Sequence, residues 1–371
     1  MSVVKEGWTY KLLNEVCDKG SSNIVINKLD GNDGDYPLYG ANGLVKKIDF
    51  FHQDKPYLGI VKDGAGVGRV NIYPAFSSLV GTMQYIFAKK ECLLEYIKYF
   101  LVKLDLSHCV SGATIPHIYF KDYGKERIPV PPIPTQQSIV SELDKINELI
   151  SLKKSQLNDL DALAQSIFYD MFGDPVKNEK GWDVKKLGEV CDVRDGTHDS
   201  PKYLVKSDYV LITSKNIQDD HIDFNTNNFI SREDYDKINQ RSLVNAGDII
   251  MAMIGTIGKP IIVPKTDVKF CVKNVAIIKF NNNPKVINLF IKSLLDNSTY
   301  MQYIQGLNKG GTQKFVALGT IRSLSLPLPP LSLQHQFAER IESIERMKQQ
   351  VQTAIKELET LLAYRMQYWF D

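Results

Sequence analysis

Thr135-Gln-Gln-Ser-Ile139-Val-Ser-Glu-Leu143-Asp-Lys-Ile146-Asn-Glu-Leu-Ile150 begins a run of apolar residues in steps of four and three, continuing through Leu157, Leu160, Ala164, Ile167 and Met171. Only Lys153 breaks the seam. A seam of about five heptads marks a helix that buries one narrow stripe against another helix. At ~1.5 Å per residue this helix is roughly 55 Å long, more than an ordinary globular helix. Pro131, Pro132 and Pro134 exclude helix before it, and Gly173 followed by Pro175 stops it.

The partner is in the same chain. An offset of 198 carries the seam onto Phe337, Ile341, Ile344, Lys348, Val351, Ile355, Leu358, Leu362, Arg365 and Trp369. The lead-ins match, Ile128-Pro-Val-Pro-Pro-Ile against Leu326-Pro-Leu-Pro-Pro-Leu, as do the tails Met171-Phe172 and Trp369-Phe370. Agreement in lead-in, phase and tail points to duplication rather than to two unrelated amphipathic helices.

The segments before the helices repeat as well. Gly7-Trp8-Thr-Tyr-Lys11-Leu-Leu13-Asn-Glu15-Val16-Cys17-Asp18 and Gly181-Trp182-Asp-Val-Lys185-Lys-Leu187-Gly-Glu189-Val190-Cys191-Asp192 agree at eight of twelve positions. Each reads as an aromatic anchor and a short amphipathic helix. Tyr36-Pro-Leu-Tyr-Gly40-Ala-Asn42-Gly43 lies over Val210-Leu-Ile-Thr-Ser214-Lys215-Asn216-Ile217. Both read as strand, tight turn and strand, with an Asn where a left-handed conformation is cheap. Ile60-Val-Lys62-Asp-Gly64-Ala-Gly66-Val-Gly68-Arg69 answers Ile250-Met-Ala-Met-Ile254-Gly255-Thr-Ile-Gly258-Lys259: a buried strand, a glycine turn and a cation. Ser111-Gly112-Ala-Thr114-Ile-Pro-His117-Ile118 matches Lys309-Gly310-Gly-Thr312-Gln-Lys314-Phe315-Val316. The chain is therefore expected to divide into a first domain (1–133), a central long helix (134–174), a second domain (175–331) and a C-terminal long helix (332–371). The fold class is α+β, two similar domains joined by two long helices with a pseudo-twofold internal repeat. Antiparallel pairing of the helices is expected, although a domain-length connection leaves parallel pairing open.

Composition narrows the function. Net charge is +2, and the five cysteines (17, 92, 109, 191 and 271) show no paired metal spacing, as in a reduced cytoplasm. The opening residues lack a secretory apolar core, and no apolar run reaches membrane length. Residues 1–133 hold 16 basic and 14 acidic side chains, and 181–331 hold 19 and 15, whereas 134–180 hold 5 and 8. Mildly basic domains on mildly acidic helices are compatible with nucleic acid. Gly64-x-Gly66-x-Gly68 and Gly255-x-x-Gly258-Lys259 match no nucleotide-binding loop, and read as strand-joining turns whose cations Arg69 and Lys259 could meet phosphate. Thr114 and Thr312 sit in small-residue turns that admit a backbone, near His117 and Lys314. Asn42 and Asn216 have the group that reads adenine, although a turn role suits them too. Lys62 and Lys215 complete the DNA-contact candidates. The histidines (52, 108, 117, 198, 221 and 335) lack metal spacing, and adjacent His108-Cys109 cannot share an ion in a regular strand. No catalytic constellation and no metal site stands out.

Taken in order, Gly7-Trp8 and Gly181-Trp182, the turns at Tyr39–Gly43 and Thr213–Ile217, Gly112-Ala-Thr114 and Gly310-Gly-Thr312, and Pro129-x-Pro-Pro and Pro327-x-Pro-Pro running into Gln136-Gln137 and Gln334-His-Gln336 resemble the specificity subunit of type I restriction–modification systems. The resemblance covers nearly the whole chain. It implies two target-recognition domains, each reading one half of an asymmetric bipartite sequence in double-stranded DNA through the major groove. An antiparallel coiled coil would set the gap. It further implies two adenine-methyltransferase subunits and two ATP-dependent translocase–endonuclease subunits as partners. The subunit itself would have no catalysis and no cofactor, its partners using S-adenosylmethionine, ATP and Mg2+. Lys348 and Arg365 depart from the apolar seam and leave its register open. The competing expectations are a coiled-coil adaptor with two protein-binding heads, and a methyltransferase or nuclease acting alone.

Overall fold

The structure is a computed structural model that describes residues 7–112, 114–218, 221–254, 258–280, 285–307 and 315–371. It divides into two compact units, Met1–Gln156 with Val351–Asp371, and Leu157–Gln350. The boundary falls inside both long helices, Ile133–Phe172 and Leu331–Phe370. Pro134 lies within the first turn of the first helix rather than before it. Proline is tolerated there because an N–H in the first turn has no intrahelical partner.

In the first unit, an antiparallel sheet runs in the order Cys17–Ser21, Met83–Ala88, Tyr57–Val61 and Val70–Tyr73. Tyr57–Val61 is buried throughout, and its period-2 alternation feeds two cores. Leu58, Ile60 and Ile86 meet the helix Leu94–Leu104, whereas Tyr57, Val61, Met83 and Tyr85 meet Leu38, Ile48 and Leu79. Gly59 is required between them, since an added Cβ would lie 2.5 Å from the Tyr73 ring. In a smaller sheet Tyr36–Gly40 is central, antiparallel to Gly43–Ile48 and parallel to Ser78–Leu79. The expected helix after Trp8 is preceded by a strand, Thr9–Leu12, paired with Arg127–Val130; one helical turn, Leu13–Val16, follows it.

The second unit repeats the large sheet with the same strand order: Asp192–Asp195, Val275–Lys279, Ile249–Ala252 and Gly258–Ile262. Its Asp183–Lys186 pairs with Ser325–Leu328, as the entry strand does in the first unit. Here the strand–turn–strand expectation fails. Tyr209–Thr213 enters a 3-10 turn, Ser214–Asn216, and pairs in parallel with Lys269–Lys273. The helix Arg232–Ser242 lies in the stretch between these paired strands.

The helices run antiparallel in both units. In the first, Glu142 meets Arg365 and Trp369, and Lys154 meets Glu359 at 3.0 Å. In the second, Asp161 meets Lys348 at 2.8 Å, and Phe168 lies 5.8 Å from Phe337. Ile139, Leu143, Ile146, Ile150 and Leu160 are buried along one helix, and Phe337, Ile341, Ile344, Val351 and Ile355 along the other. Leu157, Ile167, Leu358 and Leu362 are only half-buried. At each C-terminal end the buried position moves on by one residue: Phe168 and Phe172 replace Ile167 and Met171, and Met366 and Phe370 replace Arg365 and Trp369. A helix of 3.6 residues per turn drifts ~20° per heptad against a 3.5-residue seam. The displaced ends then enter the domain cores, Phe370 against Tyr96 and Phe100, and Phe168 and Phe172 against Phe290.

Arg365 is thus a flanking residue, and it clamps Glu142. The guanidinium hydrogen bonds hold that carboxyl below its ordinary value, outweighing the cost of partial burial, and Trp369 Nε1 donates at 3.1 Å. A carboxyl whose pKa is depressed on folding stabilises above its unfolded value, here 4.5, and the contribution is lost as pH falls through the lower folded value. The urea midpoint of wild type should therefore exceed that of Glu142→Gln at pH 7. The two should converge at pH values below the folded carboxyl's. A difference that persisted unchanged in acid would assign it to packing.

Candidate nucleic-acid interface

The turn joining Tyr57–Val61 to Val70–Tyr73 is built by Gly64, Gly66 and Gly68, with φ of 85°, 87° and 89°. It closes through Gly68 N–H to Val61 O (2.8 Å) and Arg69 N–H to Gly66 O (3.1 Å). The Arg69 guanidinium folds back over Gly66, where any Cβ would collide with it, and remains exposed.

A second loop is zipped to this turn. Ser111 and His117 exchange backbone hydrogen bonds of 2.9 and 2.7 Å. Ile118 N–H donates to Lys62 O, and Gly64 N–H to Pro116 O, each at 2.9 Å. Between the loops, Asp63 accepts from Lys62 and, at 2.8 Å, from His117 Nδ1. Partial burial would raise the Asp63 pKa, but these hydrogen bonds outweigh it and hold the carboxyl below its ordinary value. Lys62 and His117 are thereby positioned and half-buried, while Thr114, Ile115 and Tyr119 stand exposed beside them.

Asn42 and Arg69, 27 residues apart in sequence, line one open groove of ≈ 550 Å³ with Tyr39, Asn71, Tyr73 and Pro74. Asn42 is exposed, and the left-handed residue of its turn is Gly43 (φ 104°) instead. Asn71 was not foreseen from sequence. Its signal is strand alternation alone, an outward polar residue between Val70 and Ile72.

The second unit departs from expectation at Asn216. This residue is 8% exposed; its Oδ1 accepts from Thr213 N and Oγ1 (both 3.0 Å), and its Nδ2 donates to Asp223 O. With its amide committed to capping the 3-10 turn, Asn216 reads no base edge. It is not left-handed either. Lys215 beside it is exposed. Lys259 lies in the strand Gly258–Ile262, half-buried and with φ of 52°. Thr312 and Lys314 lie outside the described residues. The zip between the loops recurs, with Val316 N–H donating to Met253 O at 2.9 Å, where the first unit has Ile118 and Lys62.

Comparison with known proteins fits this duplicated plan. Residues 5–162 and 179–360 match the family described as type I restriction modification DNA specificity domain. The chain belongs to that family. The type I restriction enzyme MjaVIII specificity subunit of Methanocaldococcus jannaschii is 25% identical over 342 residues, spanning 81% of this chain and 76% of that protein. The MjaIX specificity subunit of the same organism is 25% identical over 315 residues, 78% and 68% of the two chains. The fold is that of the type I restriction–modification S subunit from M. genitalium (TM-score 0.58, 14% identity, 98% of this chain and 96% of that one). It is also that of a chain solved in work on complex assembly and conformational transition of the type I R-M system (TM-score 0.59, 16% identity, 100% and 99%). This protein is a DNA specificity subunit, in a family named for specificity rather than catalysis. Among the described residues, no helix is long and apolar enough to cross a membrane.

Proposed function

We propose that the domains at 1–133 and 175–331 each read one half of a bipartite asymmetric target in double-stranded DNA, and that the antiparallel helices set the unread gap and dock two methyltransferase subunits. The observation that carries this is duplication at every level: one sheet order, one loop zip and one helix seam, each present twice. Two translocase–endonuclease subunits would complete the complex in the cytoplasm. S-adenosylmethionine, ATP and Mg2+ would serve those partners, with no cofactor on this chain. The docking proposal draws on exposed apolar residues of the helices. Leu149 (47%) and Leu361 (44%) in the first unit correspond, at the 198-residue offset, to Met347 (39%) and Leu163 (45%) in the second. A partner that binds one pair has a second copy to bind.

Asn42 and Arg69 are proposed to approach DNA from the shared groove, with Lys62, Thr114 and His117 on the adjoining loops; Lys215 and Lys259 are the corresponding candidates in the second domain. If Arg69 meets a phosphate, Arg69→Ala should weaken binding to specific and random duplexes alike. It should also reduce the slope of log K against log salt by ~1, because one fewer counterion is released. Asn216→Ala should lower thermal stability and leave the slope unchanged. An unchanged slope in Arg69→Ala would remove that residue from the interface.

The whole reading is tested by co-expressing the chain with a type I methyltransferase subunit of the same system and mapping adenine methylation across host DNA. A single bipartite motif with a fixed gap is expected. A folded complex that methylates no site, or one without two half-sites, would overturn the bipartite reading.

A further inference from the structure

The first unit contains a cluster of metal-ligating groups that DNA reading does not use. His108 and Cys109 lie on a 3-10 turn, Leu106–Cys109, rather than on a strand, which removes the geometric objection to a shared ion. Glu126 stands opposite them, immediately before the strand Arg127–Val130. The imidazole nitrogen, the thiol sulfur and the carboxylate oxygen all lie within 4.8 Å of one another.

The hydrogen bonding of His108 fixes which nitrogen faces the cluster. Nδ1 lies 2.9 Å from Asp105 O. A carbonyl oxygen only accepts, so Nδ1 carries the proton and Nε2 is the ligand-bearing nitrogen. This backbone-anchored imidazole is the outer-shell arrangement of metal-bound histidines. Asp105 is held with φ of 50°, and its carboxylate accepts from Ser107 N–H, so the turn that presents the carbonyl is itself braced. Nε2 then faces Glu126 Oε1 at 3.0 Å. Two such atoms need a positive charge between them, either a proton or a metal ion. A proton satisfies this 3.0 Å pair alone, whereas a metal ion in its place would also engage the Cys109 thiol and use all three donors.

We propose that His108 Nε2, Cys109 Sγ and Glu126 bind one divalent cation of the zinc class, with solvent as fourth ligand. One nitrogen, one sulfur and one oxygen donor form a mixed set suited to that borderline ion. Donors of a tetrahedral zinc site lie roughly 3.5 Å apart, so small side-chain rotations from the present positions close the shell. Binding expels to solvent the protons held by Nε2 and Sγ. The ligands flank residues 110–125, which carry Thr114 and His117, so the ion would staple both ends of that segment. The staple's role rests on the DNA-reading proposal; the site itself does not.

The test uses the full chain, stripped of metal with a chelator. Zinc should bind at one equivalent per chain. Cobalt in its place should give visible ligand-field bands and a near-ultraviolet thiolate charge-transfer band. Among the five cysteines Cys109 alone is not buried; partial burial and the Glu126 and Asp122 carboxylates raise its thiol too, but burial pushes Cys17, Cys191 and Cys271 up to about 12 and Cys92 to about 11, so alkylation should select the accessible Cys109. Zinc should protect it. Cys109→Ser should abolish the charge-transfer band. Glu126→Gln should keep the alkylation, lose the protection and weaken zinc by ~10-fold or more. Absence of stoichiometric zinc binding, or a cobalt band that survives Cys109→Ser, would overturn the site. Neither result bears on methylation mapping, so a failure here leaves the DNA reading standing.

Discussion

A Gln136→Leu variant should lose about 2–4 kcal/mol of stability, because one buried and two partly buried backbone groups lose their partner together. Gln136 is fully buried at the start of the central helix. Its Oε1 accepts from Leu93 N–H at 2.8 Å, and its Nε2 donates to Glu91 O and Pro131 O at 2.8 and 2.9 Å. Leu93 caps the helix Leu94–Leu104, so one amide ties the 91–93 segment to the proline lead-in of the central helix. Leucine fills the space and answers none of these groups, each costing about 1–3 kcal/mol when stranded. Gln334 repeats the device, accepting from Ile287 N–H at 3.1 Å and donating to Lys285 O and Pro329 O. Equilibrium urea denaturation is the measurement. With two units present, Gln136→Leu should shift the transition of the first and leave that of the second, and Gln334→Leu the reverse. A loss below about 1 kcal/mol would mean that water replaces the amide.

Inserting four residues after Leu157 and four after Ile355 should lengthen the preferred gap between half-sites by about two base pairs. Four helical residues add ~6 Å, and successive base pairs are ~3.4 Å apart. The positions are matched because the helices are antiparallel: Lys154 meets Glu359 on one side of this level, and Asp161 meets Lys348 on the other. A four-residue insertion also perturbs the seam locally, so a helical circular-dichroism spectrum is the control. The readout is the methylated motif of the co-expressed complex. An unchanged gap in a folded complex would separate the helices from any measuring role.

Residues in sequence order carried the duplication, the position and length of both helices, and the family. These are legible because a heptad seam, a proline lead-in and a Gly-Trp entry are local patterns, and their recurrence in the same order, the entry at an offset of 174 and the helix at 198, needs no knowledge of packing. Candidate contact residues were less legible. Asn42 and Asn216 occupy equivalent places in the alignment of the two halves, yet one is exposed in a groove and the other is a buried cap. Side-chain type is the same in both; only the neighbours that claim the amide differ. His108 and Cys109 are similar in kind, since the carboxylate that makes them a cluster is contributed from residue 126.

The sequence by itself determined which helical face is apolar over most of each helix, where the central helix stops and that the framework of Gly-Trp entry, domain and long helix occurs twice, because periodicity is a property of consecutive residues. Only the tertiary structure decided that the helices run antiparallel, and that the buried stripe shifts to Phe168 and Phe172 and to Met366 and Phe370. It alone joined the 62–69 turn to the 111–118 loop around Asp63. An apolar stripe is equally well buried by either helix direction. The choice rests on pairings such as Glu142 with Arg365, between residues 223 apart, which no local pattern encodes.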